Sequence, residues 1–257
     1  MTIDLPLVWA VIILFGIMMY VVMDGFDLGI GILFPFLPEK SDRDVMIDSV
    51  APVWDGNETW LVLGGAGLLA AFPLAYSVIL SAFYLPLILM LTGLIFRGVA
   101  FEFRVKARTG KRRWWDDAFA GGSYVATFFQ GVTLGGFVQG VSINDGAYAG
   151  GAFDWVTPFA LFTGAGLLVA YALLGSTWLI MKTEGALQRR MRELSRYLVW
   201  LLLAVIVAIS VWTPLIEDYI ARRWFSFPYI LWFSPVPLLV ALSTFALLRA
   251  LSRGADT

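Results

Sequence analysis

The stretch MDGFDLGIG, residues 23–31, lies inside an apolar run that extends from residue 6 to residue 37. A run of that length and apolarity reads as a membrane-crossing helix, and this decides the fold class. Two carboxylates interrupt it. Asp24 and Asp27 stand three residues apart, a spacing that puts both on one face of a helix. A charge at mid-bilayer costs about 2.5–3.5 kcal/mol on insertion scales, so two together need a use or a partner. Either they line a proton route between helices, or they cap the cytoplasmic end of the span and sit in water. Gly25 and Gly29 form a G-x-x-x-G pair, which lets a second helix approach closely.

The rest of the composition agrees with a membrane chain. The 257 residues are 60% hydrophobic and 14% charged, with a mean hydropathy of +0.80. A soluble domain cannot hide that much apolar surface, so the expectation is an all-α polytopic membrane protein. The N-terminus has no basic segment ahead of the first apolar run, so no cleavable signal is expected. There is no Cys, which excludes disulfides and thiolate ligands. There is also no His. Typical haem, copper and catalytic zinc sites use imidazole, so redox chemistry must come from a partner. For metals, only a carboxylate site for Mg²⁺ or Ca²⁺ stays open.

About seven apolar spans follow one another at residues 6–37, 59–72, 76–96, 118–141, 156–181, 197–215 and 229–251. They are too long and too continuous for barrel strands, which would alternate. The first is longer than a bilayer needs, so its end projects or bends near Pro35, and Pro73 marks a tight turn between the second and third. With no linker and no low-complexity tract, residues 1–257 read as one integral-membrane domain.

Charge placement predicts the orientation. The segment after the third span carries Arg97, Arg104, Lys106, Arg108, Lys111, Arg112 and Arg113; the one after the fifth carries Lys182, Arg189, Arg190, Arg192 and Arg196. The segment between the fourth and fifth spans holds only Asp145 and Asp154. The positive-inside rule then puts the N-terminus outside and the C-terminus inside, with Arg222 and Arg223 a mild exception. The loop at residues 38–57 then faces the cytoplasm, with Asp24, Asp27 and Asp55 near that side, and residues 249–257 form a cytoplasmic tail. The basic loop reads as a topology signal beside anionic lipid, not a nucleic-acid site. Trp114, Trp115, Trp155, Trp224 and Trp232 read as interfacial anchors. Gly131, Gly135, Gly136 and Gly140 read as helix-packing positions, since no strand precedes them to make a nucleotide fingerprint.

The second chemistry-bearing stretch is SVAPVWDGNETW, residues 49–60, with Trp54, Asp55, Asn57 and Glu58 at the start of the second span. Asp55 can simply cap that helix, with Glu58 completing a capping box. Alternatively, Asp24, Asp27, Asp55 and Glu58 lie at one membrane depth and form a relay that takes up and releases protons. Arg97, at the end of the third span, either neutralises one of the buried acids or snorkels to the interface. Gln130 and Gln139 can hydrogen-bond between helices or to a quinone carbonyl.

At these residues the sequence resembles subunit II of the cytochrome bd-type quinol oxidases, including the cyanide-insensitive branch. The resemblance rests on DGFDLGIG (24–31), SVAPVWDGNETW (49–60), AFPLAYS (71–77) with AFYLPL (82–87), FRGVAFEFR (96–104) and GVTLGGFVQGV (131–141), in order. These cover most of the first 141 residues, whereas beyond residue 156 the likeness is one of hydropathy. The resemblance implies a respiratory complex of the bacterial inner membrane that oxidises quinol and reduces oxygen to water. It implies that subunit I carries b-type and d-type haems and that this chain carries none. The chain's implied roles are to stabilise subunit I and to contribute to a proton path from the cytoplasm. The aspartate of the family's W-D-G-N motif matches Asp55, and that of its G-F-D-[LM]-G motif matches Asp27; Asp24 and Glu58 join from the spacing argument. Trp54, Asn57, Arg97, Gln130 and Gln139 are further polar residues for an interface or a quinone, which some members hold as a structural ligand. Quinol, the lipid bilayer and a small single-span accessory peptide are the other implied partners. Family members carry more spans, in two similar bundles. On that pattern residues 1–141 form the first bundle and 156–257 an incomplete second one. Two rivals stand beside this reading: an independent proton-coupled secondary transporter using the Asp cluster, and a purely structural membrane partner.

Overall fold

The computed structural model describes residues 4–107 and 110–253. Arg108 of the basic loop and the last four residues of the expected cytoplasmic tail therefore lie outside the described residues.

A helix covers each of the apolar runs. The order is α1 (Leu5–Leu33), α2 (Lys40–Val50), α3 (Trp54–Ala71), α4 (Pro73–Lys106), α5 (Arg112–Val138), a two-stranded hairpin β1 (Ile143–Asn144) and β2 (Ala147–Tyr148), α6 (Pro158–Lys182), α7 (Gly185–Ile216), α8 (Asp218–Phe225), α9 (Tyr229–Phe233) and α10 (Pro235–Arg253). Five segments, Leu5–Phe36, Pro73–Lys106, Pro158–Lys182, Gly185–Ile216 and Tyr229–Arg253, are long and apolar enough to cross a membrane. The helices α3 and α5 fall short of that measure. Asp55 and Glu58 open the first, and Arg112, Arg113, Asp116 and Asp117 open the second.

Local chemistry sets the helix ends. Asp4 caps α1 by accepting the Leu7 amide at 3.2 Å, with Pro6 in the first turn. Past Leu33 the chain tightens into a 3₁₀ turn, Phe34–Phe36, at the expected bend around Pro35. Pro86 lies inside α4, and the helix is broken at Phe83 (φ −117°, ψ 23°), the turn where a ring removes a backbone donor. The hairpin turns on Asp145 (φ 49°) and Gly146 (φ 76°), left-handed conformations that a two-residue hairpin turn requires.

The structure departs from the sequence expectation between the first two spans. Residues 40–50 are not loop but an amphipathic helix, α2, which buries Met46, Ile47 and Val50. Likewise α4 runs to Lys106 and α7 begins at Gly185, well outside their apolar runs. These extensions meet at one end of the molecule. There Asp42 of α2 pairs with Arg190 of α7 (3.7 Å), Asp44 with Arg104 (2.8 Å) and Arg112 (2.7 Å), and Arg43 with Asp116 (3.4 Å). The main apolar core lies at this end too, with Leu28, Ile30, Phe34, Met46, Val50, Phe119, Leu179 and Met191 nearly fully buried. The N-terminal half of α1 and nearly all of α10 present apolar side chains outward, as surfaces meeting lipid do.

Candidate functional site

The site forms where α1 changes from an exposed helix to a buried one. From Asp24 to Leu33 every residue of α1 is buried. Small residues make this possible. A Cβ on Gly29 would fall on the Tyr171 carbonyl, and one on Gly175 would fall on the Gly29 backbone, so α1 and α6 cross in backbone contact. Gly25 faces the Tyr171 ring in the same crossing. The G-x-x-x-G expectation is therefore met by α6.

Asp24 and Asp27 have no exposed surface, which excludes the reading that they cap a span end in water. Arg97 arrives from α4, also fully buried. Its approach depends on a second small-residue crossing, in which Gly93 of α4 and Gly122 of α5 leave no room for a side chain on either helix. The Arg97 Nη1 donates to Glu58 Oε1 at 2.9 Å and to Asp24 Oδ1 at 3.3 Å, while Nη2 lies 3.9 Å from Asp27 Oδ2. Asn57 fixes the other side of Asp27 by donating Nδ2 at 2.7 Å, and it also reaches the Met23 carbonyl at 3.3 Å. The rings of Trp54 and Phe101 stack on each other at 5.0 Å, and the guanidinium carbon lies 6.0 and 5.5 Å from their centroids. Cation–π attraction adds to the ion pairs where water is excluded.

Arg97 therefore pairs with the buried acids and does not snorkel. Trp54, Asn57 and Arg97 all belong to the cluster. Glu58 is its partly open edge, with 26% of the side chain exposed. Asp55 does not join: it is exposed, one turn before Glu58. Neither does it cap. The N-cap of α3 is Val53, without a side-chain bond, and Asp55 sits in the first helical turn. Gln139 accepts the Thr157 hydroxyl at the far end of α5, joining the helix to the start of α6. Gln130 is half-buried, with its side chain beside the Tyr171 hydroxyl.

Two groups escaped sequence reasoning. Tyr20 and Tyr171 are buried beside the acids, on α1 and α6, with the Tyr20 hydroxyl next to the Asp24 carboxylate and the Tyr171 hydroxyl next to the Gln130 side chain. Asp27 Oδ1 and Arg97 Nε have no hydrogen-bond partner among the described residues. In sequence the two tyrosines read as ordinary aromatic residues of spans, and only the α1–α6 crossing assembles them. The second group is the ionic network of Arg43, Asp44, Arg104, Arg112 and Asp116; Arg104 and Arg112 read as part of a charge run, whereas Arg43 and the two acids carry no such signal. On the loop between α5 and α6, partial burial and then the Asp154 carboxylate push the Tyr148 hydroxyl above its ordinary pKa.

This geometry can hold charge in a dry interior and exchange a proton at its partly open edge. Comparison with known proteins adds a family. The family model described as cytochrome bd terminal oxidase subunit II matches residues 5–256. The chain is 34% identical over 226 residues to cytochrome bd-I ubiquinol oxidase subunit 2 of Escherichia coli K12, covering 85% of this chain and 60% of that protein. It is 34% identical over 223 residues to a probable cytochrome oxidase subunit 2 of Haemophilus influenzae, covering 84% and 59%. It is 29% identical over 220 residues to cytochrome bd ubiquinol oxidase subunit 2 of Bacillus subtilis, covering 84% and 64%. The chain thus spans about three fifths of the length of these relatives.

Proposed function

Because the chain belongs to the cytochrome bd terminal oxidase subunit II family, we propose that it serves as the non-haem subunit of a bd-type quinol oxidase in a bacterial inner membrane. There it supports a haem-bearing subunit I and delivers cytoplasmic protons for the reduction of oxygen to water. Membership in this family favours that reading over an independent transporter.

The observation that carries the proton role is the meeting of three carboxylates, Asp24, Asp27 and Glu58, on the single buried cation Arg97. One guanidinium offsets one carboxylate, and the remaining negative charge is of the kind a transferable proton balances in a low-dielectric interior. Asp55 is the exposed entrance, Glu58 the edge, and Asp24 with Asp27 the inner end. Beyond them stand the Tyr20 and Tyr171 hydroxyls. The Tyr20 hydroxyl adjoins the Asp24 carboxylate and the Tyr171 hydroxyl adjoins Gln130, and this extends the route.

Seven spans, α1, α3, α4, α5, α6, α7 and α10, with the N-terminus outside and the C-terminus inside, fit the ionic end described above. Alternation of the helices brings α2 and the basic ends of α4, α5, α6 and α7 to one side, the cytoplasmic one by the positive-inside rule. The division into a first bundle at 1–141 and a second at 156–257 remains part of this reading.

The chain lacks the two donors that most haem sites use. With no His and no Cys, it offers neither imidazole nor thiolate to an iron. On this reading haems b and d sit on subunit I, as the family resemblance implies, and a small single-span peptide completes the assembly. For a structural quinone, the Trp178 indole N–H is a buried donor without a hydrogen-bond partner among the described residues.

The test is the complex purified through a tag on this chain, carrying Asp55→Asn or Glu58→Gln. Oxidase turnover is expected to fall while the haem absorption bands remain. Unchanged turnover removes that residue from the route, and a colourless preparation removes the subunit reading.

A further inference from the structure

The ionic end of the molecule holds a cavity of about 450 Å³ that the proton route does not use. Four cations line it, Lys40, Arg43, Arg112 and Arg113, against two carboxylates, Asp116 and Asp117. Behind it Arg104 and Asp44 offset each other, so positive charge is in excess. The cations are held to different degrees. Arg43 is fixed by donating Nε to the Leu37 carbonyl at 2.7 Å and by lying 5.1 Å over the Phe34 ring. Arg112 is held by Asp44, with its Nε buried and without a partner among the described residues. Lys40 and Arg113 make no ion pair among the described residues. The chain flanking this cationic cup is apolar and bare: Val105 and Trp114 are each 76% exposed, and Phe36 is 69% exposed. A small soluble anion has no use for such a shoulder, whereas an amphiphile with an anionic head matches both parts.

We propose that this cavity seats the phosphate headgroup of an anionic phospholipid, with its acyl chains along the apolar surface that Val105 and Trp114 begin. Lys40 and Arg113 supply the unpaired charge, Arg43 and Arg112 the fixed donors. Basic pockets between transmembrane helices suit such headgroups, and each basic residue near the membrane surface contributes about a fivefold gain in affinity. The site is independent of the Arg97 cluster and does not rest on the proton role.

The experiment uses the intact complex, stripped of lipid in mild detergent and titrated with phosphatidylglycerol. Bound lipid is counted by native mass spectrometry, and the thermal midpoint is followed alongside. The expected result is one tightly retained phosphatidylglycerol and a raised midpoint, with no response to phosphatidylcholine. The double variant Lys40→Ala/Arg113→Ala is expected to bind roughly 25-fold more weakly. Asp117→Asn is expected to bind about fivefold more tightly, a direction that damage to the fold cannot mimic. Parent-like affinity in both variants overturns the site. Inorganic phosphate that displaces the lipid, or raises the midpoint equally, overturns the lipid assignment in favour of a free-anion site.

Discussion

A guanidinium with no exposed surface constrains every side chain around it. Arg97 meets Asp24, Asp27 and Glu58 within 3.3, 3.9 and 2.9 Å, and removing it strands carboxylates away from water. Breaking a buried ion pair from one side costs about 3–5 kcal/mol, so Arg97→Met is expected to lower the thermal midpoint of the purified complex sharply. Arg97→Lys is expected to fall between, since an ammonium cannot reproduce the planar fork that reaches two helices at once. A parent-like midpoint for Arg97→Met would show that the pairs contribute nothing to stability. Asn57→Leu tests the neighbouring contact: losing the 2.7 Å donor to Asp27 is expected to cost about 1.5–3 kcal/mol in the same assay. Much of this site was legible in the sequence. Spacing put Asp24 and Asp27 on one face, and cost arguments demanded a partner for them. Whether Arg97 was that partner depended on the close crossing at Gly93 and Gly122, a long-range fact that no local pattern carries. Asp55 and Glu58 looked equivalent at one helix start, and a single turn of α3 separates an exposed acid from a clustered one.

Helix crossings without side-chain clearance place these residues. At the α1–α6 crossing the Gly29 and Gly175 backbones touch, whereas Gly65 on α3 has open space around its missing Cβ. Gly29→Ala is therefore expected to push the helices apart and destabilise by about 1–3 kcal/mol, seen as reduced membrane accumulation and a lower midpoint. Gly65→Ala is expected to leave both unchanged or slightly raise the midpoint, because Ala favours helix over Gly by about 1 kcal/mol. Equal effects from the two variants would mean that the crossing tolerates separation. Hydropathy found the apolar stretches of the helices but not their amphipathic extensions. The helix α2 and the first turns of α7 alternate charge with scattered apolar residues, and their helical state comes from packing on the core at the ionic end. A bilayer-length apolar window has no means of detecting such segments.

The whole molecule is polarised. One end gathers α2, the basic ends of α4, α5, α6 and α7, and the salt-bridge network. The other carries the β1–β2 hairpin and a loop without Lys or Arg from residue 139 to residue 157. The sequence alone disclosed this asymmetry because charge and hydropathy are both counted along the chain; the fold adds that the basic segments converge in space. If the ionic end faces the cytoplasm, then Asp55 and Glu58, at the start of α3 just after α2, open toward cytoplasmic protons. The opposite orientation would make the same acids an outlet. Since the chain has no Cys, single substitutions can decide this without background. Ser41→Cys places a thiol on the exposed side of α2, and Ala147→Cys places one on the exposed hairpin. A membrane-impermeant maleimide that crosses only the outer barrier is expected to label position 147 in intact cells and position 41 only after the inner membrane is opened. The reverse pattern would invert the topology and would defeat a cytoplasmic proton path through Asp55. Labelling of both positions from outside would mean that at least one of α3, α4 and α5, the three helices between them, does not cross the bilayer, which would overturn the seven-span reading.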